Sequence, residues 1–154
     1  MDDTKTDIIP AAPAIVLDTN VCLDLFVFDD PRWALLRAAL ESGRLRAVTR
    51  ANCRDEYLAV LHYEHLPLTE ATRPAAAARF DALIAVVAPP AKPVRLPVCT
   101  DRDDQKFMEL ARDAGASVLI TKDKALLKLA RKVAQAGLFQ IMQPEAWVKA
   151  QAVG

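Results

Sequence analysis

The segment Ala14-Ile15-Val16-Leu17-Asp18-Thr19-Asn20-Val21 decides the predicted fold. Its first four residues are apolar and follow a segment rich in proline and alanine, which predicts a short buried strand that ends at Asp18. Residues 20–28 are apolar on nearly all sides and predict a buried helix of one or two turns. An unpaired carboxylate at the end of a buried strand has a high desolvation cost, so Asp18 is a candidate functional residue.

Outward from this segment, predicted strands and helices alternate. Strands are predicted at residues 45–48, 118–121 and 138–142, and residues 85–88 fit either a strand or a helix end. Helices are predicted from Pro31 to a stop at Gly43, after Thr49 as a cap, from Pro74, from Asp101 to Gly115, over residues 124–136, and from Pro144. This alternation predicts a three-layer α/β/α fold in which helices cover both faces of a mostly parallel sheet of about five strands.

Apolar residues at spacings of three and four predict inner faces on these helices, including the following two. In the helix that begins at Pro31, the spacing places these residues inward: Leu35, Leu36, Ala39 and Leu40. In the helix over residues 124–136, it places Leu127, Ala130 and Val133 inward. We expect both faces to pack against the sheet.

The composition is typical of one globular domain. The chain has 154 residues, of which 53 % are hydrophobic and 26 % charged. We expect residues 1–13 to form an N-terminal extension and residues 14–150 to form a single domain. Lysine and arginine balance aspartate and glutamate to a net charge of zero, which argues against nucleic-acid binding through bulk positive charge.

Neither end of the sequence changes the expectation of one globular domain. Its first residues carry acids instead of an apolar run, and no apolar stretch of about 18 residues occurs, so neither a signal peptide nor a membrane span is predicted. Cys22, Cys53 and Cys99 are far apart and form no CxxC pair. We therefore expect buried free thiols and a cytoplasmic protein.

Three aspartates are predicted at the same edge of the sheet. Asp18 and Asp123 follow predicted strands, and Asp104 lies in the first turn of a helix. Strand ends and helix starts share the edge where open α/β sheets bind ligands, so the three side chains can converge. Converging carboxylates repel one another unless a cation binds them, and Mg²⁺ and Mn²⁺ prefer oxygen ligands. With no Ser-His-Asp set in the chain, the pattern favours metal-assisted hydrolysis.

Each aspartate also has an ordinary structural explanation. Asp104 follows Asp101 at the spacing of a capping box, so both could satisfy a helix N-terminus. Asp123 lies between Lys122 and Lys124 and could belong to an exposed turn. The coincidence of all three at one edge is what favours a functional site.

Three motifs resemble the PIN-domain ribonucleases: I-V-L-D-T-N-V at residues 15–21, D-R-D-D-Q-K-F-M-E-L-A at 101–111, and V-L-I-T-K-D at 118–123. The similarity runs in order over roughly residues 14–145 and is strongest to bacterial members described as toxin components of toxin–antitoxin pairs. It implies a sheet of order 3-2-1-4-5 and RNA cleavage with Mg²⁺ or Mn²⁺. It also implies a homodimer and a small antitoxin that covers the acidic cleft.

The resemblance assigns site residues as well. It implies catalytic, metal-binding acids at four positions: Asp18, Glu56, Asp104 and Asp123. Asp55 is the rival of Glu56 for the second position. Asn20 and Thr121 are implied to be supporting residues that orient the acids.

Basic residues near the predicted acidic edge are candidates for contacts with the RNA backbone. They are Arg50, Lys122 and Lys124. The ordinary alternative is a solvated helix face.

Two other functions are open to this sequence. An apolar strand followed by aspartate is also typical of haloacid-dehalogenase-type phosphatases, but Asn20 stands where their second aspartate is needed. The other is a catalytically silent PIN-fold module that binds RNA or protein.

Overall fold

The computed structural model describes residues 13–89 and 102–153. The predicted N-terminal extension, except its last residue, lies outside the described residues, as do Cys99 and the predicted helix start at Asp101. The elements, in chain order, are β1 (Ala14–Leu17), α1 (Thr19–Phe26), a 3-10 turn (Pro31–Trp33), α2 (Ala34–Glu41), β2 (Arg46–Thr49), α3 (Ala51–Val60), α4 (Arg73–Leu83), β3 (Ile84–Val86), α5 (Arg102–Asp113), β4 (Val118–Ile120), α6 (Lys124–Leu127), α7 (Ala130–Gln135), β5 (Gln140–Met142) and α8 (Pro144–Val153).

In the described part of the chain, five parallel strands form one sheet in the order β3-β2-β1-β4-β5. The central strand β1 pairs Ile15 with Ala47 of β2 on one side and with Val118 of β4 on the other. The predicted fold class and strand order are confirmed. Since the chain moves from β1 first to one side and later to the other, strand order reverses between β1 and β4, which is where such sheets bind ligands.

Alternate residues of β1 point to opposite faces of the sheet. Ile15 and Leu17 belong to a core that includes Leu25 of α1 and Tyr57 of α3. Val16 belongs to a second core on the other face, whose members from α5, α6 and α7 are Phe107, Met108, Leu110, Ala111, Leu126 and Val133. Burial on both faces fixes the three layers and orients the end of β1.

Two glycines end helices as predicted. Gly115 follows α5 with a φ of 62°, and Gly137 follows α7 with a φ of 72°. Both values lie in the left-handed region that glycine adopts without a steric penalty. Gly115 therefore allows the chain to turn from α5 into β4, which leads to Asp123.

The predicted single helix over residues 124–136 is wrong. Two short helices, α6 and α7, replace it, with Lys128 and Leu129 between them. Leu126 is fully buried in place of the predicted Leu127, which is only partly buried. Because Leu126 and Val133 are seven residues apart, the spacing of one continuous helix face, periodicity does not reveal the break.

Other boundaries also differ from the predictions. The segment that begins at Pro31 starts as a 3-10 turn, and Leu35 is 48 % exposed instead of inward. Thr49 is the last residue of β2, and Arg50 takes the N-cap position of α3 without a side-chain hydrogen bond to it. Ile84–Val86 form a strand, which settles the alternative left open for that region in favour of the sheet.

Cys22 and Cys53 are buried free thiols, as predicted. Within the described residues, every helix is too short or too polar to cross a membrane.

Candidate metal centre

Asp18 lies at the carboxyl end of β1, where it caps α1 and is only 3 % exposed. Its Oδ1 atom accepts a hydrogen bond from the backbone N–H of Thr19 at 2.7 Å. Its Oδ2 atom accepts hydrogen bonds from Thr121 Oγ1 at 2.6 Å and from Asn20 Nδ2 at 3.3 Å. The carboxylate is therefore held in one orientation by donors from α1 and from the residue that follows β4.

Burial raises the pKa of Asp18 to about 6. The hydrogen bonds from Thr121 and Thr19 lower this pKa, and the carboxylates of Glu56 and Asp123 raise it. Burial and the neighbouring carboxylates outweigh the hydrogen bonds, so the site without a cation disfavours the ionised form of Asp18. A bound cation reverses that preference because it stabilises the ionised carboxylate.

Asp123 caps α6, as its Oδ1 atom accepts a hydrogen bond from the N–H of Ala125 at 2.8 Å. Its own N–H donates to Thr121 Oγ1 at 2.9 Å. The Thr121 hydroxyl thus connects Asp123 to Asp18. Asp123 thus caps a helix, and its side chain is partly buried at the sheet edge instead of lying in the exposed turn that was its ordinary alternative.

Asp104 is the third residue of α5 and is 8 % exposed. One carboxylate oxygen from each of Asp18, Asp104 and Asp123 lies within 4.8 Å of the other two. The three aspartates come from the ends of β1 and β4 and the start of α5, so the predicted convergence is present. Three carboxylate oxygens are a donor set that fits a hard divalent cation such as Mg²⁺ or Mn²⁺.

Glu56 stands apart from this group of three. Its Oε1 atom accepts a hydrogen bond from Lys106 Nζ at 2.7 Å, and its Oε2 atom accepts one from the hydroxyl of Thr19. Glu56 therefore lies beside Asp18 with both oxygens engaged by side chains. Its predicted rival, Asp55, is exposed on α3.

The supporting residues lie where the sequence places them. Thr121 is fully buried between Asp18 and Asp123. Asn20 donates to Asp18 through Nδ2 and accepts a hydrogen bond from the N–H of Lys122 through Oδ1, at 3.3 Å. Both residues join α1 to the connection between β4 and α6.

Two charged residues near the site were not predicted. Lys106 binds Glu56, and Asp24 is a buried acid on α1 whose Oδ2 atom lies 3.0 Å from Trp33 Nε1 and 2.8 Å from Lys122 Nζ. The sequence could have indicated Asp24, because this acid lies among the apolar residues of α1. For Lys106 the only indication was its position two residues after Asp104.

The three basic candidates differ in their surroundings. The guanidinium of Arg50 contacts Glu109 at 2.6 Å and Asp113 at 3.2 Å. Lys122 contacts Asp24, and Lys124 is exposed at the first position of α6. Their roles toward RNA stay predictions.

Comparison with known proteins identifies the family of this chain. No curated protein matches this chain. The sequence model of a family described as "PIN domain" matches residues 14–125, which include all four predicted acids. That match spans most of the chain and the whole acidic edge, and the sheet has the strand order expected for the fold. The chain therefore belongs to the PIN-domain family, whose members are generally nucleases.

Proposed function

We propose that the protein is a metal-dependent endoribonuclease that hydrolyses RNA phosphodiester bonds. The observation that carries this proposal is the group of three aspartate oxygens within 4.8 Å of one another, at the reversal of strand order in a PIN domain. A cation bound there can lower the pKa of water and neutralise charge on a phosphodiester. Mg²⁺ and Mn²⁺ are the proposed ions.

In this proposal the aspartates are ligands. Asp18, Asp104 and Asp123 hold the cation, and Glu56 is the fourth acid that the family resemblance adds. Asp18 acts as a ligand and not as a nucleophile, and Thr19, Thr121 and Asn20 orient its two oxygens for that role. Thr121 and Asn20 keep the aspartates in place while the negatively charged substrate binds.

In this proposal, basic side chains near the same edge of the sheet bind the RNA backbone. Lys124 is exposed, whereas Arg50 and Lys122 share their charge with Glu109, Asp113 and Asp24. With a net charge of zero, we expect weak binding that depends on a few local phosphate contacts. Replacing Lys124 should reduce the salt dependence of RNA binding.

The biological role proposed here is that of the toxin in a toxin–antitoxin pair. Its support is the resemblance of the three motifs to bacterial toxin components. The same resemblance supports a cytoplasmic homodimer and a small antitoxin protein that covers the acidic cleft. A small partner gene beside this one in the genome, and its inhibition of cleavage, would test this role.

The central experiment measures cleavage of a single-stranded RNA by the purified protein with Mg²⁺, with Mn²⁺ and with EDTA. We expect cleavage with either ion and none with EDTA. Asp18→Asn and Asp104→Asn should abolish it while circular dichroism shows an intact fold. The matched control is Asp29→Asn, an exposed acid outside the site whose φ of 51° asparagine tolerates.

Other outcomes select the rival functions. Equal cleavage by the Asp18→Asn protein would indicate a contaminating nuclease. Metal and RNA binding without turnover would favour the silent binding module. Hydrolysis of a small phosphomonoester, with RNA left intact, would favour a phosphatase.

A further inference from the structure

Lys106 and Glu56 form an ion pair, at 2.7 Å between Nζ and Oε1, next to the chain segment that carries Asp18. Lys106 comes from α5, the helix of Asp104, and Glu56 comes from α3 on the neighbouring side. Both side chains are largely shielded, with exposures of 18 % for Lys106 and 27 % for Glu56. A partly buried pair is less screened by solvent than a surface pair, so it holds the ammonium in a defined place.

A second contact connects this pair to Asp18. The hydroxyl of Thr19, the residue after Asp18, donates to the other oxygen of Glu56. One glutamate thus joins the Lys106 ammonium to the chain segment that carries Asp18. Glu56 thus already holds a cationic group, the Lys106 ammonium, and a metal ion at Glu56 would have to compete with it.

The net negative charge of the site indicates a role for Lys106. Asp18, Asp104, Asp123 and Glu56 carry four negative charges when ionised, and one divalent cation cancels two of them. A phosphodiester would then approach a site that is still negative. The Lys106 ammonium, held by Glu56, reduces that repulsion and offers donors to a phosphate oxygen.

We propose that Lys106 binds the substrate phosphate and that Glu56 is a positioning residue that aims its ammonium, with Thr19 as the second anchor. This inference rests on the proposed nuclease function and changes the part that Glu56 plays in it. Glu56 acts mainly through Lys106, and the three aspartates hold the metal. The ligand recognised by Lys106 is the phosphodiester backbone of single-stranded RNA.

The experiment measures the affinity of a fluorescent single-stranded RNA oligonucleotide by anisotropy over a range of salt concentrations. Ca²⁺ replaces Mg²⁺, and gels check that the probe stays intact. For Lys106→Gln we expect at least fivefold weaker binding and a salt slope that is smaller by about 0.7, the value for one lost contact to a single strand. Lys106→Arg should recover part of the affinity. Lys132→Gln, an exposed lysine on α7, is the matched control and should change neither quantity.

A double-mutant cycle tests the positioning role. Glu56→Gln should weaken RNA binding when Lys106 is present, and should leave it unchanged or tighten it in the Lys106→Gln background, where only a repulsive charge is removed. The Mn²⁺ affinity of the Glu56→Gln protein, measured by calorimetry without RNA, should stay within twofold of the wild-type value. A tenfold loss of Mn²⁺ affinity would instead make Glu56 a metal ligand and overturn its positioning role.

The inference and the nuclease proposal fail in different ways. If wild-type protein cleaves RNA but Lys106→Gln binds it like Lys132→Gln, the inference is wrong and the nuclease function stands. If wild-type protein does not cleave, the nuclease function fails, and the salt slope still decides whether Lys106 contacts RNA. An absence of RNA binding in any buffer would overturn both.

Discussion

Thr121 Oγ1 donates a 2.6 Å hydrogen bond to Asp18 Oδ2 and accepts one from the N–H of Asp123 at 2.9 Å. Thr121 and Asp18 follow the adjacent central strands β4 and β1, and they are 103 positions apart in the sequence. A single fully buried hydroxyl therefore sets the spacing of two of the three converging aspartates.

Thr121→Val should impair both stability and metal binding. Valine has nearly the shape of threonine but removes a donor to Asp18 and an acceptor for Asp123 in a buried place. We expect a loss of about 1–3 kcal/mol in the free energy of unfolding. Losing the Thr121 hydrogen bond should also raise the pKa of Asp18 further, which weakens metal binding. Urea denaturation and Mn²⁺ calorimetry measure the two effects.

Thr121→Ser keeps the hydroxyl and should retain most of the metal affinity. Thr49→Val is the matched control, because Thr49 is also a buried threonine at a strand end but does not contact the aspartates. A similar loss of metal affinity in the Thr49→Val protein would mean that the Thr121 effect is not local.

Asp18 should make the metal-free protein less stable as pH rises from about 4 to about 6. Its pKa is about 6 in the folded state and near 3.8 when unfolded, so the folded state binds more protons in this window. The destabilisation should reach about 3 kcal/mol and change little above pH 6, at roughly 1.4 kcal/mol per pKa unit. Chemical denaturation in EDTA at several pH values measures it.

The comparison that isolates this effect is the difference between wild type and Asp18→Asn. Other groups titrate in the same range, but they contribute to both proteins. We expect the asparagine variant to gain stability relative to wild type as pH rises through this window. Saturating Mg²⁺ should remove much of the trend, because the cation stabilises the ionised form. A difference that stays constant from pH 4 to 7 would contradict a raised pKa.

The sequence predicts the sheet edge well because strand ends and helix starts are local features. Asp18 and Asp123 follow short apolar runs, and the reversal of strand order then brings them together. Glu56 is different, because its place depends on how α3 packs against α5 and α1. Its partners Lys106 and Thr19 are 50 and 37 positions away, and a single sequence does not show which side chains meet.

The helix errors have a related cause. Leu126 and Val133 keep the period of one helix although the chain breaks between them. Leu35 has the spacing of an inward residue, but of the predicted inner face of α2 only Leu36, Ala39 and Leu40 are buried. In both cases the hydrophobic period alone does not show where a helix breaks or how wide its buried face is.

Asp24→Asn should loosen the connection between β4 and α6. Asp24 is buried, and its Oδ2 atom contacts both the indole N–H of Trp33 and the ammonium of Lys122, so asparagine removes the negative charge of a buried ion pair. We expect a loss of about 1–3 kcal/mol in unfolding free energy and faster hydrogen exchange at Lys122 and Asp123. Denaturation and amide exchange by mass spectrometry provide the measurements.

The control for Asp24 is Arg32→Gln, which removes the ion pair with Asp30. The Arg32 side chain is 67 % exposed and its ion pair is screened by solvent, so this variant should change the unfolding free energy much less than Asp24→Asn does. Equal losses of unfolding free energy in the two variants would mean that the buried ion pair of Asp24 stabilises the protein no more than an exposed one.

A bound divalent cation should raise the melting temperature of the protein through the three aspartates. A ligand that binds only the folded state at 100 times its Kd stabilises it by about 2.7 kcal/mol. For a chain of this size that corresponds to a shift of roughly 5–10 °C. Because one ligand oxygen in the proposed set comes from Asp104, Asp104→Asn should lose most of the shift, whereas Asp29→Asn should keep it. Scanning calorimetry with Mn²⁺ at several concentrations measures the effect. An equal shift in the Asp104→Asn protein would place the cation elsewhere, since neutralising one of three converging carboxylates must weaken a site built from them.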